Sequence, residues 1–380
     1  MKVEQRHRKS DSDWTSQPSP LFSEKAQLVL VFADFSLLKE ESYFKEIQND
    51  YPHALIVGCS TAGEICRTQV FEKSIIVTAV LFEKTRLNIA HVDIKDFENS
   101  FLAGKQLANS LDQNELKHVL VFSDGIKING SDLVKGLVEN LPSDIGLTGG
   151  LAGDAGKFQE TLVCFNQTPE KEKIVVVGFY GDNLKVGYGS MGGFAPFGPE
   201  RLVTKSEGNV LYELDGASAL SLYKEYLGEE KSSDLSTHQF YFPLSYRTED
   251  MKTPIVRTIL NIDQDKDTMT FAGDIPQGSF VRLMKSTTDR LVDGAIDAAQ
   301  TTLKFMGGSA PTLAILISCV GRKIIMSQRV EEEVEAVYDM FSEETIVTGF
   351  YSYGEIAPFS SIEPCQLHNQ TMTVTAFMEE

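Results

Sequence analysis

The chain has 380 residues with 35 Lys and Arg against 54 Asp and Glu, a formal charge of 35 − 54 = −19. That length suits two compact domains rather than one, and a 42% hydrophobic content supplies material for real cores. An acidic balance of this size repels phosphate backbones and anionic lipid heads, and no basic patch offsets it, so neither nucleic acid nor a membrane surface is an expected partner.

Taken in chain order, residues 1–25 lack periodicity and read as a flexible arm, with Trp14 placed to dock on the body. They hold no apolar signal core, and no later run approaches the roughly 18 apolar residues of a spanning helix, so a cytoplasmic protein is expected. An apolar strand over 28–34 ends in Asp34. A second ends in Val57 and runs into the phrase Gly58-Cys59-Ser60-Thr61-Ala62-Gly63-Glu64-Ile65, and a third covers 74–82. The same order then recurs: a strand over 119–124 ending in Asp124, and a helical stripe of Leu133, Val134, Leu137, Val138 and Leu141. The glycine turn Gly149-Gly150-Leu151-Ala152-Gly153-Asp154 and a strand over 161–165 follow. A hairpin over 174–180 and 184–189 closes the first domain, and the Gly/Pro cluster 189–199 marks a boundary, giving domains of 26–195 and 196–380.

The second domain opens with a strand over 209–213 and a helix from Gly216, followed by a polar loop over 229–236. Antiparallel strands are expected over 237–244, 255–262, 268–272 and 279–284. The acid-rich residues 263–267 lack the glycine and distal glutamate of a calcium loop and read as a solvated turn. A helix over 289–306 leads into a third strand, 314–319, a stripe of Val330, Val334, Val337 and Phe341, the phrase Gly349-Phe350-Tyr351-Ser352-Tyr353-Gly354-Glu355-Ile356, and a last strand over 371–377. The expected fold class is therefore α/β: two mixed-sheet domains built from repeated strand, helix, Gly turn, strand modules, with Asp34, Asp124 and Cys319 at equivalent strand ends. The five cysteines form no CxxC pair and read as free thiols, mostly in the core.

Several phrases in register carry a family resemblance: Val57-Gly-Cys-Ser-Thr-Ala-Gly-Glu-Ile65, Gly149-Gly-Leu-Ala-Gly-Asp154, Leu211-Tyr-Glu-Leu-Asp-Gly216, Phe271-Ala-Gly-Asp-Ile-Pro276, Ser318-Cys-Val-Gly-Arg322, Gly349-Phe-Tyr-Ser-Tyr-Gly-Glu-Ile356 and Leu367-His-Asn-Gln-Thr371. Together they resemble the FIST family, which pairs an N-terminal and a C-terminal sensory domain. The resemblance implies a cytoplasmic signal-input protein that binds a small ligand, with amino acids the best-known proposed ligands. It also implies a partner: a histidine kinase, a cyclic-di-GMP enzyme or a chemotaxis-type receptor. One bacterial branch binds haem and responds to nitric oxide, and membership of that branch is the first expectation for this chain.

Glu64 and Glu355 follow glycines at turns, where a carboxylate either accepts from a ligand amine or caps a helix. Arg322 follows a strand end and suits a bidentate clamp on a ligand carboxylate or an ion pair between modules. Tyr353, with Tyr351, Phe350 and Phe359, makes the last turn aromatic, which fits a pocket wall or an inter-domain core. The expected ligand site is accordingly Arg322, Tyr353, Glu355 and Asn369, with Glu64 at the corresponding first turn. His238 heads the aromatic run Gln239 to Leu244 and is the expected axial ligand for haem. His53 and His118 read as lying just before strands in polar surroundings. The alternative is a haem-free sensor of amino acids or another metabolite, in which Arg322 and Glu355 clamp the ligand. A second alternative is acyl transfer at Cys59 in its glycine-bounded turn. No histidine accompanies that turn and its copy has Phe350 in place of the thiol, so enzymatic activity is not expected.

Overall fold

The computed structural model describes residues 1–232, 238–359 and 363–380. Three mixed sheets form the body. The first runs Lys2–Lys9, Ser74–Leu81, Leu28–Asp34, Leu55–Thr61, Val163–Phe165. The second runs Gln366–His368, Gly354–Ala357, Gly146–Leu151, Leu116–Ser123, Lys173–Tyr180, Arg86–Asp93. The third runs Leu184–Met191, Met372–Glu379, Leu313–Cys319, Ile346–Ser352, Glu64–Cys66, Gln69–Phe71. Each has a central strand, Leu28–Asp34, Leu116–Ser123 or Leu313–Cys319, parallel to a glycine-bearing strand on one side and antiparallel to a closing strand on the other. These central strands are buried almost along their whole length, which is why they read as continuous apolar runs and not as alternation.

Each glycine-bearing strand is flanked on its far side by a short strand donated from elsewhere in the chain. Val163–Phe165 joins the first sheet, Gly354–Ala357 the second and Glu64–Cys66 the third, so the sheets interlock in a ring. At its centre Phe32, Phe122 and Phe350, one from each sheet, pack with ring centroids 4.8 to 6.3 Å apart. Helices cover the outside. Ser100–Ser110 and Gly130–Val138 lean together over the second sheet, where Gly104 and Gly136 let the backbones close: a Cβ on either would lie 2.3 or 2.1 Å from a facing carbonyl oxygen.

Gly58, Gly149 and Gly349 sit at matching registers opposite Val31, Val121 and Leu316. An added Cβ would meet the carbonyl oxygens of those residues at 1.8, 2.1 and 1.8 Å, so close approach of two backbones explains the glycine at every copy.

Between Met191 and the helix Thr288–Phe305 the chain builds a near-closed, barrel-like antiparallel sheet with its own core of Leu211, Leu244, Ile259, Met269, Phe271 and Val281. The helix Ala219–Ser232, kinked at Gly228, packs on it. The molecule is thus a mixed α/β protein with several mixed sheets and one barrel-like sheet.

Four expectations change. The strands expected as a hairpin over 174–180 and 184–189 do not pair with each other: Lys173–Tyr180 lies in the second sheet and Leu184–Met191 at the edge of the third. Residues 1–25 are not a loose arm: Lys2–Lys9 is an edge strand in full register with Ser74–Leu81. Its charges hid it, yet two of them tie it to the body. Arg6 is buried against the Trp14 ring at 4.2 Å and pairs with Asp50, while Glu4 accepts from the Ser19 amide. The strand expected over 237–244 is instead a turn at 238–242, closed by the Tyr241 and Phe242 amides on the His238 carbonyl, with a strand only at Leu244–Arg247. Residue 237 and part of the loop expected over 229–236 lie outside the described residues, and 229–232 continue the preceding helix. His118 does not precede its strand in polar surroundings but lies inside it, fully buried against Phe179, Tyr188 and Phe377.

Candidate functional site

Parallel strands open a crevice at their carboxyl ends, where the loops that leave them diverge. In the second sheet Asp124 follows the central strand and organises that loop. Its Oδ1 accepts from the Ile126 and Lys127 amides at 2.8 and 2.6 Å, and its Oδ2 from Thr161 Oγ1 at 2.8 Å. Gly125 then passes so near Ala152 that a Cβ would lie 2.0 Å from its carbonyl oxygen. Asn129 caps the helix Gly130–Val138, its Oδ1 accepting from the Ser131 and Asp132 amides at 3.0 and 3.1 Å.

The barrel supplies the opposite wall with Phe271-Ala272-Gly273-Asp274, Asn209 and Leu260. Together with the floor residues Leu151, Phe158 and Tyr353 they enclose a cleft of about 350 Å³. Asn129 Nδ2 donates to Asp274 Oδ1 at 3.1 Å, a hydrogen bond from wall to wall. Behind it Arg257 is buried, donating to the carbonyls of Leu367 at 2.8 Å and Asp274 at 3.3 Å and to Ser131 Oγ at 3.4 Å. Gly273 makes room for this arginine, since a Cβ there would lie 2.8 Å from its Nε.

Tyr353 is held from the other side. Its hydroxyl donates to Asp154 Oδ1 and accepts from the amides of Asp154 and Gly156 at 3.2 and 3.0 Å, and its ring stacks on Phe158 at 4.2 Å. Tyr353 is therefore the one expected ligand residue that lines this cleft. Arg322 is fully buried: Nε and Nη2 grip Glu333 Oε2, while Nη1 and Nη2 also donate to the carbonyls of Gly192 and Leu291, where the chain leaves the body for the barrel and returns. Ser318 and Tyr351 hydroxyls complete the other Glu333 oxygen.

Glu64 and Glu355 occupy matching but separate places. Glu64 accepts from Thr61 Oγ1, the Ser74 amide and Ser74 Oγ; Glu355 accepts from Ser352 Oγ, the Thr371 amide and Thr371 Oγ1. Burial pushes both carboxyls up to about 8. Asn369 is buried near Glu355 with neither side-chain polar atom hydrogen-bonded. His238 is half-buried with the Phe242 ring 6.5 Å away, and lines neither this cleft nor the second described below. Cys59 is sealed in the core, where burial pushes its thiol well up. Among the described residues no group of three His, Cys, Asp or Glu could hold a metal ion, and no helix is long and apolar enough to cross a membrane.

A second, more open cavity of about 560 Å³ lies at the carboxyl ends of the third sheet, with Val320, Lys323 and Ile324 on one side and Ala62, Glu72 and Gly156 on the other. Lys323 Nζ spans it, donating to the Ala62 carbonyl at 2.8 Å and to Glu72 at 2.7 Å. Sequence reasoning missed Asn129, Phe158, Asn209, Leu260 and Asp274 as site residues. An Asn before Gly-Ser-Asp is a readable helix cap, and the phrase holding Asp274 carried family resemblance without a role.

The molecule is an α/β body with an inserted barrel and a cleft between them. The chain belongs to the FIST family: residues 27–217 match the FIST N domain and residues 219–358 the FIST C domain. FIST domains are sensory domains of signal transduction. An uncharacterized protein of Methanocaldococcus jannaschii is 25% identical over 351 residues, covering 83% of this chain and 67% of its own. A cyanuric acid hydrolase from A. caulinodans superposes with a TM-score of 0.35 and 9% identity over 93% of this chain and 90% of that one, too loose a likeness to carry an argument.

Proposed function

We propose that this chain is a ligand-binding sensor of signal transduction whose ligand occupies the cleft between the second sheet and the barrel, without haem. One observation carries the reading: the cleft is walled by residues 125–130 of the body and 271–274 of the barrel, so a ligand filling it touches both. A ligand that binds better when the walls are close shifts the population toward that arrangement, and a partner that reads the barrel's position receives the signal. The family resemblance supports a histidine kinase or a cyclic-di-GMP enzyme as that partner.

A small-molecule thermal-shift screen on wild type and on Ala272→Phe, which fills the cleft, tests the site. Hits should stabilise only the wild type and should slow amide exchange in both 125–130 and 271–274. Protection confined to one wall, or hits that stabilise both proteins equally, would remove the reading.

Nitric oxide sensing through haem on His238 is the competing reading, favoured by the aromatic neighbours Phe240, Tyr241 and Phe242. A Soret band on adding haemin, lost in His238→Ala, would establish it. We further propose that the three sheets are copies of one module. Their common strand order and the matching partners of Glu64 and Glu355 support this, and superposition of the three central strand pairs tests it.

A further inference from the structure

The chemistry of the cleft narrows its ligand. Among the residues that line it, Asp274 is the one with a formal charge; Lys, Arg and His are absent from the lining. Asp274 Oδ1 is taken by Asn129, which leaves the Oδ2 edge for a ligand. The groups that could welcome an anion are already committed. Arg257 is buried behind the wall, each of its nitrogens donating to Leu367, Asp274 or Ser131, and the first amides of the helix Gly130–Val138 are capped by Asn129. Asp132 stands in the first turn of that helix, its carboxyl held above the usual range by burial and then by Asp274. Lys135 on the same helix faces Asp132, so the charge that the lining itself presents is that of Asp274. Beside Asn129 and Asn209 the other side chains facing the cleft are apolar: Phe158 stacked on Tyr353, with Ile126, Ile128 and Leu260 around them.

We infer that the cleft selects a small organic cation, an ammonium group carried on a flat apolar body, over carboxylates and over zwitterionic amino acids. This rests on the cleft being the ligand site. The ammonium donates to Asp274, the body lies against Phe158 and Leu260, and a carboxylate on the same ligand would meet Asp274 without a cation to receive it. A charge-assisted hydrogen bond in such a partly desolvated place separates the cation from a neutral isostere by about tenfold or more in affinity.

Isothermal titration with 2-phenylethylammonium, 2-phenylethanol, 3-phenylpropionate and phenylalanine tests this on wild type, Asp274→Asn and Ala272→Phe. Asp274→Asn keeps an acceptor for Asn129, and its thermal unfolding verifies that it is folded. The ammonium should bind wild type about tenfold or more tighter than the other three, and Asp274→Asn should erase that preference. Absence of ammonium binding, or equal binding of phenylalanine or phenylpropionate, overturns the inference. If the probes bind without regard to charge and Ala272→Phe abolishes binding, the cleft stands as the site and only the cation preference falls. If ammonium binding survives Ala272→Phe, the cleft itself is not the site.

Discussion

The hydroxyl of Tyr353 and the carboxylate of Asp154, 199 residues apart, are hydrogen-bonded in the interior where the second and third sheets meet. The same oxygen accepts the Asp154 and Gly156 amides, so a single phenol holds together a loop that belongs to one sheet and a turn that belongs to another. Tyr353→Phe keeps the stacking on Phe158 but leaves those amides without their acceptor. Stability should fall by about 1–3 kcal/mol in urea unfolding, and a loss below about 0.5 kcal/mol would show that the loop holds itself.

Arg322 and Glu333 are both fully buried, and the arginine also ties down the two chain crossings into the barrel. Glu333→Ala should cost about 3–5 kcal/mol, because it strands a buried guanidinium. The double variant Arg322→Met/Glu333→Leu removes both charges and should cost less than either single change. Denaturant unfolding of the three proteins gives the comparison, and additive losses would contradict it.

Gly58→Ala, Gly149→Ala and Gly349→Ala each drive a methyl into a neighbouring carbonyl oxygen at 1.8 to 2.1 Å. Each should cost about 3 kcal/mol or more, since backbone on both sides must move. Gly308→Ala is the contrast: its φ is +78° but nothing lies within 4 Å, so only conformational strain of about 1–2 kcal/mol is expected. Equal losses at all four sites would mean that close packing is not the reason for the glycines.

Four buried titrating groups shape the pH dependence. Glu64 and Glu355 are raised from 4.5 to about 8, so they bind protons more tightly folded than unfolded. Their contribution is full below pH 4.5 and is lost as the pH climbs to 8. Burial lowers His118 and His368 from 6.5 to about 3, so their contribution is full above pH 6.5 and is lost as the pH falls toward 3. Between pH 4.5 and 6.5 the two slopes oppose each other, and stability should be flat and highest there. Urea midpoints measured across pH 3 to 8 should trace this dome, whereas a midpoint that rises steadily to pH 8 would contradict it.

The main strands were legible because burial on both faces writes itself as a continuous apolar run, as in Leu28–Asp34 and Leu313–Cys319, and because the glycines behind them have no substitute at such close approach. The helix Thr288–Phe305 was legible through the apolar spacing of Leu291, Ala295 and Ala299. Lys2–Lys9 was not, since an edge strand whose charges find partners on a distant helix carries no apolar signature of its own.

The sequence by itself determined the repeated glycine turns, the acidic surface and the family. Tertiary structure alone decided which sheet each short strand completes. Glu64–Cys66, Val163–Phe165 and Gly354–Ala357 are three or four residues long, and so short a segment holds too little pattern to specify a partner hundreds of residues away. It likewise decided that Arg322 closes on Glu333 and that Asp274 faces Asn129. The first joins two body helices across 11 residues and the second joins the body to the barrel, and each depends on how those elements pack, which local spacing does not record.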